Sequence, residues 1–472
     1  MLKYLSRGNA VLAKPAPQTA LIAHLAVTLM HQAGVPKNAL QLLPGDGAVG
    51  AALVSDAWVQ GVAFTGSTET ALKIRRAMAE NLDPSAPLIA ETGGINVMMV
   101  DSTALPEQAV RDIIGSAFQS AGQRCSALRC LYVQEDIAET VAEMLFGAMD
   151  ELALGDPLDL STDVGPVIDA QAQAGIAAYL DAARAEGRVI KEMHAPGMGC
   201  FVAPAVVRVS GLAQIPREVF GPVLHIATFP AGAHQAVVAA VNASGYGLTF
   251  GLHTRIDDRV QSVVEALRVG NTYVNRNQIG AVVGSQPFGG EGLSGTGPKA
   301  GGPDYIARFT RAAAPVLDGP QAQTPEATIA TALKLTLAGG ARARSVVLPG
   351  PTGESNRLTL VPRAPLLCLG PSLPAALAQA EAVRALGGQA LESPGLPAEA
   401  LERLSGFSGA LFWGNAAQAR AYARALSARP GPILPLIGDL PDAAHVLLER
   451  HVCIDTTASG GNAQLLAEAA AV

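Results

Sequence analysis

The chain has 472 residues, 49% of them apolar and 15% charged, which is about three domains' worth of sequence and excludes an intrinsically disordered protein. Its 33 basic and 40 acidic side chains leave a formal charge of −7, excluding the basic field that nucleic acid or an anionic membrane surface requires. Five scattered cysteines build no disulfide framework, the eight histidines never join them at metal-ligand spacing, and no apolar run is long enough to span a membrane, so a cytoplasmic protein without metal or integral-membrane segment is expected.

From residue 8 the pattern alternates strand and helix. Residues 9–13 (NAVLA) predict a short strand, and Thr19 is placed to cap a helix that stops before Gly34. A strand over 41–43, a helix over 48–55, a strand over 61–64, a helix over 68–81 and a strand over 88–90 follow. Such alternation predicts parallel βαβ units in a doubly wound α/β sheet. A second series runs from Val97 to about residue 310, with helices near 105–121, 136–153, 170–187, 233–243 and 257–268. Residues 312–331 lose periodicity and gain Pro, Gln and Thr, as a linker would. Beyond them, strands at 365–369, 410–413 and 433–437 alternate with helices at 373–386 and 416–426, predicting a separate, smaller α/β domain that ends in a strand over 451–457 and a turn.

Five stretches carry candidate chemistry. Gly45-Asp46-Gly47-Ala48-Val49-Gly50 matches a dinucleotide fingerprint, yet no acidic residue follows at the right distance, and an ordinary turn explains it better. Phe64–Thr68 joins a strand to a helix, so Gly66 and Ser67 either cradle an anion at the helix N-terminus or merely cap it. Glu91, before Thr92-Gly93-Gly94, ends a strand, where a buried carboxylate could move a proton and a solvated one would do nothing. Cys125 sits in a glycine-flanked loop beside Arg124, the setting of an accessible, partly ionised thiol, whereas Cys130 reads as packing. Residues 277–302 form a long glycine-rich stretch, and a loop of that length inside a domain usually serves function.

In order and spacing these stretches resemble the aldehyde dehydrogenase superfamily, and within it the L-glutamate γ-semialdehyde dehydrogenase module of bacterial proline utilization A proteins. The similarity rests on Gly8–Thr19, FTGSTE at 64–69, IAETGG at 89–94, SAGQRCSALR at 120–129, VGPVID at 164–169, EVFGPV at 218–223 and the stretch 273–303, with 34 residues separating Glu91 from Cys125. The resemblance implies an aldehyde dehydrogenase-like doubly wound fold in which Cys125 is the nucleophile, Glu91 activates the hydrolytic water, and NAD is the cofactor. It further implies that Lys14 and Glu218 meet the two riboses, Phe220 the nicotinamide, and Gly66 and Ser67 the pyrophosphate, which demotes Gly45–Gly50 to a turn. Ser126 with Ser294, Gly295 and Thr296 would hold the α-carboxylate and α-ammonium of the semialdehyde. Where related sequences commonly have Glu, this chain has Pro17, which leaves NAD against NADP open.

The implied boundaries are a partial NAD-binding domain over 1–93, a catalytic domain over 94–311, a linker over 312–331, and a non-catalytic dehydrogenase-like domain over 332–472 whose terminal β-flap adds to a sheet edge. Nothing in Met1–Arg7 resembles the family's first strand or its Pro-Trp-Asn-Phe-Pro loop, so an amino-truncated chain is expected. An FAD-dependent proline dehydrogenase domain would then lie upstream or on a separate chain, and a homo-oligomer is implied. The rival expectations are a catalytically impaired structural fragment and a dehydrogenase for another small aldehyde.

Overall fold

The protein is seen in a computed structural model that describes residues 2–317, 319–320, 322–336 and 344–457. These form two compact units. The first takes the residues up to Glu91, Thr296–Arg344 and Leu360–Glu449; the second takes Thr92–Gly295, Ser345–Thr359 and those from Arg450 onward.

The first unit opens with a short helix α1 (Leu2–Leu5) and strand β1 (Val11–Ala13). Helix α2 (Ala20–Gln32) connects β1 to its parallel partner β2 (Leu40–Leu42), with Val11 opposite Leu40. Thr19 stands at the start of α2, but its hydroxyl donates to the Ala16 carbonyl inside a 3-10 turn over Pro17–Thr19, so the expected side-chain cap is replaced by backbone already wound by Pro17. Gly34, with φ of +98°, makes the left-handed exit from α2 that a Cβ would penalise. Next come α3 (Gly47–Leu53), β3 (Val62–Gly66), α4 (Thr68–Asn81) and β4 (Leu88–Thr92). Apolar residues three and four apart turn one face of α4 inward, and Ala71 and Met78 pack with Leu82, Leu88 and Ala90. Instead of one continuous doubly wound sheet, β1–β2 and β3–β4 here are separate two-stranded sheets. Consistent with so little covering, α2 buries Val27 and leaves Leu21, Ile22, Leu25 and Leu29 exposed.

The second unit is built on strands β5 (Val97–Val100), β6 (Cys130–Gln134), β7 (Val189–Glu192), β8 (Ala205–Arg208), β9 (Val223–Phe229), β11 (Thr249–His253) and β12 (Asn271–Val274). A small hairpin-like pair, β10 (Tyr246–Gly247) and β13 (Glu291–Gly292), lies beside them. Helices α5 (Pro106–Phe118), α6 (Ala138–Asp150), α7 (Ala170–Ala185), α8 (His234–Ala243) and α9 (Asp257–Ala266) fall where the periodicity placed them. Strands β5 and β6 are buried along their whole length, as strands covered on both faces must be, and this is why they read as apolar runs without alternation.

The remaining chain contributes to both units. Helix α10 (Glu326–Thr336) begins inside the expected linker, because Ile329 and Leu333, four apart, find an apolar core; the connection therefore ends at residue 325 rather than 331. Two strands, β14 (Arg344–Leu348) and β15 (Glu354–Pro362), precede an α/β stretch of β16 (Leu366–Cys368), α11 (Leu373–Ala385), β17 (Ala390–Glu392), α12 (Ala400–Arg403), β18 (Gly409–Leu411), α13 (Ala416–Ala428) and β19 (Leu436–Ile437). Its four strands form a parallel sheet in the order β17-β16-β18-β19. Helix α14 (Ala443–Val446) and β20 (Leu447–Asp455) follow.

The expected boundaries at 93 and 332 cut across this division. The four-stranded sheet shares a unit with the amino-terminal segment because α13 packs on α4: Arg420 donates to the Ala79 carbonyl at 2.8 Å, Arg424 pairs with Glu80 at 2.6 Å, and Ala79 joins the core around Leu369 and Tyr422. The final strand starts at Leu447, four residues before the expected 451, and pairs with β12 in register His451 opposite Asn271. It adds to the β12 edge of the strands β12-β11-β5-β6-β9-β8-β7, as expected, and β15 and β14 continue the sheet beyond it to ten strands. The part of the expected flap at Ser459–Leu466 lies outside the described residues.

Described residues between 311 and 325 meet the carboxyl ends of the four-stranded sheet. Beyond β19, Arg311 pairs with Asp439 and the Leu440 N–H donates to the Ala312 carbonyl. Beyond β16, the Ser372 hydroxyl donates to the Leu317 carbonyl at 3.3 Å; beyond β17, Thr324 donates to the Pro394 carbonyl at 2.8 Å. The fit is close, since a Cβ on Gly395 would lie 1.8 Å from the Ala322 carbonyl oxygen. No helix among the described residues is long and apolar enough to cross a membrane.

Candidate active site

Cys125 is delivered by an unusual reversal of the chain. After α5 ends at Phe118, Ser120, Ala121 and Gly122 take φ values of 56°, 53° and 64°, three left-handed residues in a row. Left-handed backbone costs about 1–2 kcal/mol per non-glycine residue, so other contacts must hold it. At Gly122 no side chain is possible: a Cβ would lie 2.2 Å from the Gly221 carbonyl oxygen.

The loop is held from beneath by groups that its own sequence does not reveal. The buried Asn96 amide donates to the carbonyls of Cys125 at 2.6 Å and Ala127 at 2.9 Å, and its oxygen accepts from the Thr249 N–H at 3.2 Å. The Ser126 carbonyl accepts from Thr249 Oγ1 and Gln278 Nε2, both at 3.2 Å. Arg129, 1% exposed at the start of β6, donates from Nη1 to the Gly122 carbonyl at 2.7 Å and from Nη2 to the Arg124 carbonyl at 3.1 Å. Cys125 itself is half-buried, while Cys130 is fully buried, its thiol pushed up by burial and so held away from the reactive thiolate.

The same guanidinium reaches a second loop. Arg129 donates to the Gly221 carbonyl at 3.1 Å, pairs with Glu218 at 3.2 Å, and lies 5.2 Å from the centre of the Phe220 ring. Burial pushes the Glu218 carboxyl up, and Arg129 and the Gly94 N–H pull it back. Gly93 leaves room for this carboxylate, since a Cβ there would lie 2.0 Å from Glu218 Oε2. Glu91 is half-buried in β4, two residues before Gly93, at the end of the first unit.

The amino-terminal candidates lie in the first unit. Lys14 Nζ donates to the carbonyls of Pro15 and Gly45 at 2.8 and 2.9 Å. Asp46 caps the seven-residue α3 by accepting from the Ala48 N–H, so the Gly45–Gly50 match is the start of this helix, with a carboxylate at its N-terminus. Ser67 caps α4 by accepting from the Thr70 N–H at 3.2 Å, and Gly66 has no space for a Cβ beside the Phe64 ring.

The expected substrate contacts divide. Ser294 is fully buried and its hydroxyl accepts from the Gly247 N–H at 3.1 Å. The Thr296 hydroxyl accepts from the Ala90 N–H at 3.0 Å and donates to backbone carbonyls around it. Both hydroxyls bond to the framework, and Ser294 Oγ, as the acceptor of that bond, keeps its own proton to donate; Gly295 between them is half-buried, and Ser126 is 5% exposed. Asn96, Arg129 and Gln278 are the residues that sequence reasoning missed. One signal was present: Arg129 opens the apolar run Cys130–Gln134, and a buried cation needs acceptors.

The arrangement suits a thiol nucleophile beside a wall for a flat ring. Phe220 is 45% exposed over a buried cation, with a carboxylate two residues away for ribose hydroxyls, so the chemistry of these residues fits a nicotinamide dinucleotide. Among the described residues no group of three His, Cys, Asp or Glu side chains could hold a metal ion.

Comparison with known proteins points the same way. Residues 1–314 match the profile of the aldehyde dehydrogenase family. Over 98% of its length the chain is 43% identical to the bifunctional protein PutA of Salmonella typhimurium, and it spans 40% of that protein. A 1-pyrroline-5-carboxylate dehydrogenase from Geobacillus sp. is 37% identical over 64% of the chain and 60% of that enzyme. Among solved structures, a bifunctional proline utilization A protein matches 65% of the chain and 31% of its own with a TM-score of 0.64 and 54% identity. A Thermus 1-pyrroline-5-carboxylate dehydrogenase with bound NAD matches 64% of the chain and 59% of its own with a TM-score of 0.60 and 35% identity.

Proposed function

The chain belongs to the aldehyde dehydrogenase family, and from that premise we propose that it oxidises L-glutamate 5-semialdehyde to L-glutamate with NAD. The observation that carries this reading is the half-buried Cys125 thiol presented on a left-handed turn whose carbonyls are fixed by Asn96 and Arg129. The relatives' substrate name supports the choice of aldehyde, since 1-pyrroline-5-carboxylate is the cyclic imine that opens with water to this semialdehyde.

In this reading the Cys125 thiolate adds to the aldehyde carbon and forms a thiohemiacetal. Bound NAD supplies the hydride acceptor. Glu91 then takes a proton from the water that attacks the resulting thioester, releasing the carboxylate and restoring the thiol. Glu218 and Phe220 would hold the nicotinamide end, and Lys14, Gly66 and Ser67 the adenosine and pyrophosphate. The substrate's carboxylate and ammonium fall to Ser126 and to the loop at Ser294, Gly295 and Thr296, where backbone N–H groups and short hydroxyls can donate to a carboxylate.

The chain spans 40% of the PutA relative, and an FAD-dependent proline dehydrogenase working upstream of it in the cytoplasm, with assembly into a homo-oligomer, is part of the same proposal. The test is NADH formation from glutamate semialdehyde by the parent and by Cys125→Ala. The parent should turn over and the variant should not, while equal rates overturn the reading. A silent parent that still binds NAD would favour the structural fragment, to which the two short two-stranded sheets lend support. Comparable kcat/KM for succinic semialdehyde would favour another small aldehyde.

A further inference from the structure

A single buried guanidinium joins the loop that carries Cys125 to the loop that carries Glu218 and Phe220. On the nucleophile side Arg129 holds the carbonyls of Gly122 and Arg124, the latter immediately before Cys125. On the other side it holds the Gly221 carbonyl and the Glu218 carboxylate and underlies the Phe220 ring. Its own backbone is pinned as well, its N–H donating to the Asn96 carbonyl and its carbonyl accepting from the His225 N–H. We propose that Arg129 is the positioning residue for the reaction, setting the Cys125 thiol and the Glu218–Phe220 wall in one geometry through a single planar fork.

The chemistry selects arginine for this place. Five donors in a fixed plane satisfy three carbonyls and one carboxylate at once, whereas an ammonium is a point donor that cannot span them. Glu218 balances the cation, which is why burial at 1% exposure is tolerated. The guanidinium also lies within electrostatic reach of the Cys125 sulfur, so it favours the thiolate without touching substrate. The inference rests on the reading of Cys125 as nucleophile, but its structural half, a loop held by Arg129, does not need a particular aldehyde.

The experiment compares the parent with Arg129→Gln and Arg129→Lys, the second keeping the charge so that at least one variant remains folded. Three quantities are measured: steady-state NADH formation, the rate of Cys125 alkylation by iodoacetamide at fixed neutral pH read by peptide mass, and rescue by added guanidinium ion in Arg129→Ala. A thiol displaced by about 1 Å loses on the order of 100-fold in rate. Both folded variants should therefore lose kcat by about that factor with KM for the aldehyde little changed, and raise KM for NAD. Alkylation of Cys125 should slow in Arg129→Gln, and millimolar guanidinium should restore part of the activity of Arg129→Ala but none in Arg129→Lys, whose side chain fills the space. Folded variants with kcat within twofold of the parent and unchanged alkylation would overturn the proposal. If the parent fails to oxidise the semialdehyde, the functional reading falls, while an altered Cys125 alkylation rate in the variants still supports the positioning role and an unaltered one removes it.

Discussion

The carboxylate of Asp112 on α5 and the imidazole of His253 at the end of β11 lie 3.8 Å apart, with 4% and 1% of their side chains exposed. Asp112 is contacted by Arg111 at 3.1 Å, and Asp101, Asp455 and Arg276 add charge around the pair. Burial pushes the carboxyl up to about 6 and the imidazole down to about 4, so at neutral pH a carboxylate faces an uncharged ring.

The two groups pull stability in opposite directions with pH. Asp112, raised in the fold, stabilises at low pH and loses that contribution as pH rises through about 6. His253, depressed in the fold, stabilises above its ordinary 6.5 and loses that contribution as pH falls through about 4. Between these values they offset one another. Thermal unfolding of Asp112→Asn should therefore drop more steeply than the parent between pH 6 and pH 4, and that of His253→Gln less steeply. Parallel curves for all three proteins would refute the coupling.

Two glycines near the thiol should respond differently to the same added methyl group. At Gly122 the new Cβ meets the rigid backbone carbonyl of Gly221 at 2.2 Å and the left-handed φ adds strain, so Gly122→Ala should cost at least about 2 kcal/mol and most of the activity. At Gly93 the new Cβ meets the Glu218 carboxylate, a side chain that can shift only by leaving the buried Arg129, so Gly93→Ala should lose less stability than Gly122→Ala but bind NAD more weakly. Calorimetry and NAD titration of both variants separate the two effects.

Truncating Asn96 leaves the carbonyls of Cys125 and Ala127 and the Thr249 N–H without that side chain. Asn96→Ala should destabilise by about 3 kcal/mol, which for a unit of roughly 200 residues lowers Tm by about 6–12 °C. A change of a degree or less would mean that other donors replace the amide.

Much of the architecture is written locally. Helix α4 runs over Thr68–Asn81 as expected because Ser67 caps it and its apolar residues recur at helical spacing. The three-residue strand β17 escapes notice although the equally short β1, β2, β16 and β18 are expected, and α10 hides in a stretch whose Pro and Gln suggest a linker until Ile329 and Leu333 find a core. The candidate site divides in the same way. Cys125 and Glu218 stand in distinctive wording, but Asn96, Arg129 and Gln278 act on carbonyls of residues distant in the chain, and a backbone acceptor has no sequence signature. The framework bonds of Ser294 and Thr296 are equally invisible in sequence, because the N–H groups of Gly247 and Ala90 that they accept from lie far along the chain.

In the four-stranded sheet β17-β16-β18-β19 the strand order reverses between β16 and β18, the place where open parallel sheets receive nucleotides. At the carboxyl ends of this sheet the chain is already engaged with itself, the Ser372 hydroxyl on the Leu317 carbonyl beyond β16 and the Thr324 hydroxyl on the Pro394 carbonyl beyond β17. A calorimetric titration with NAD should consequently saturate at one equivalent per chain, although the polypeptide carries a second sheet of dinucleotide-binding topology.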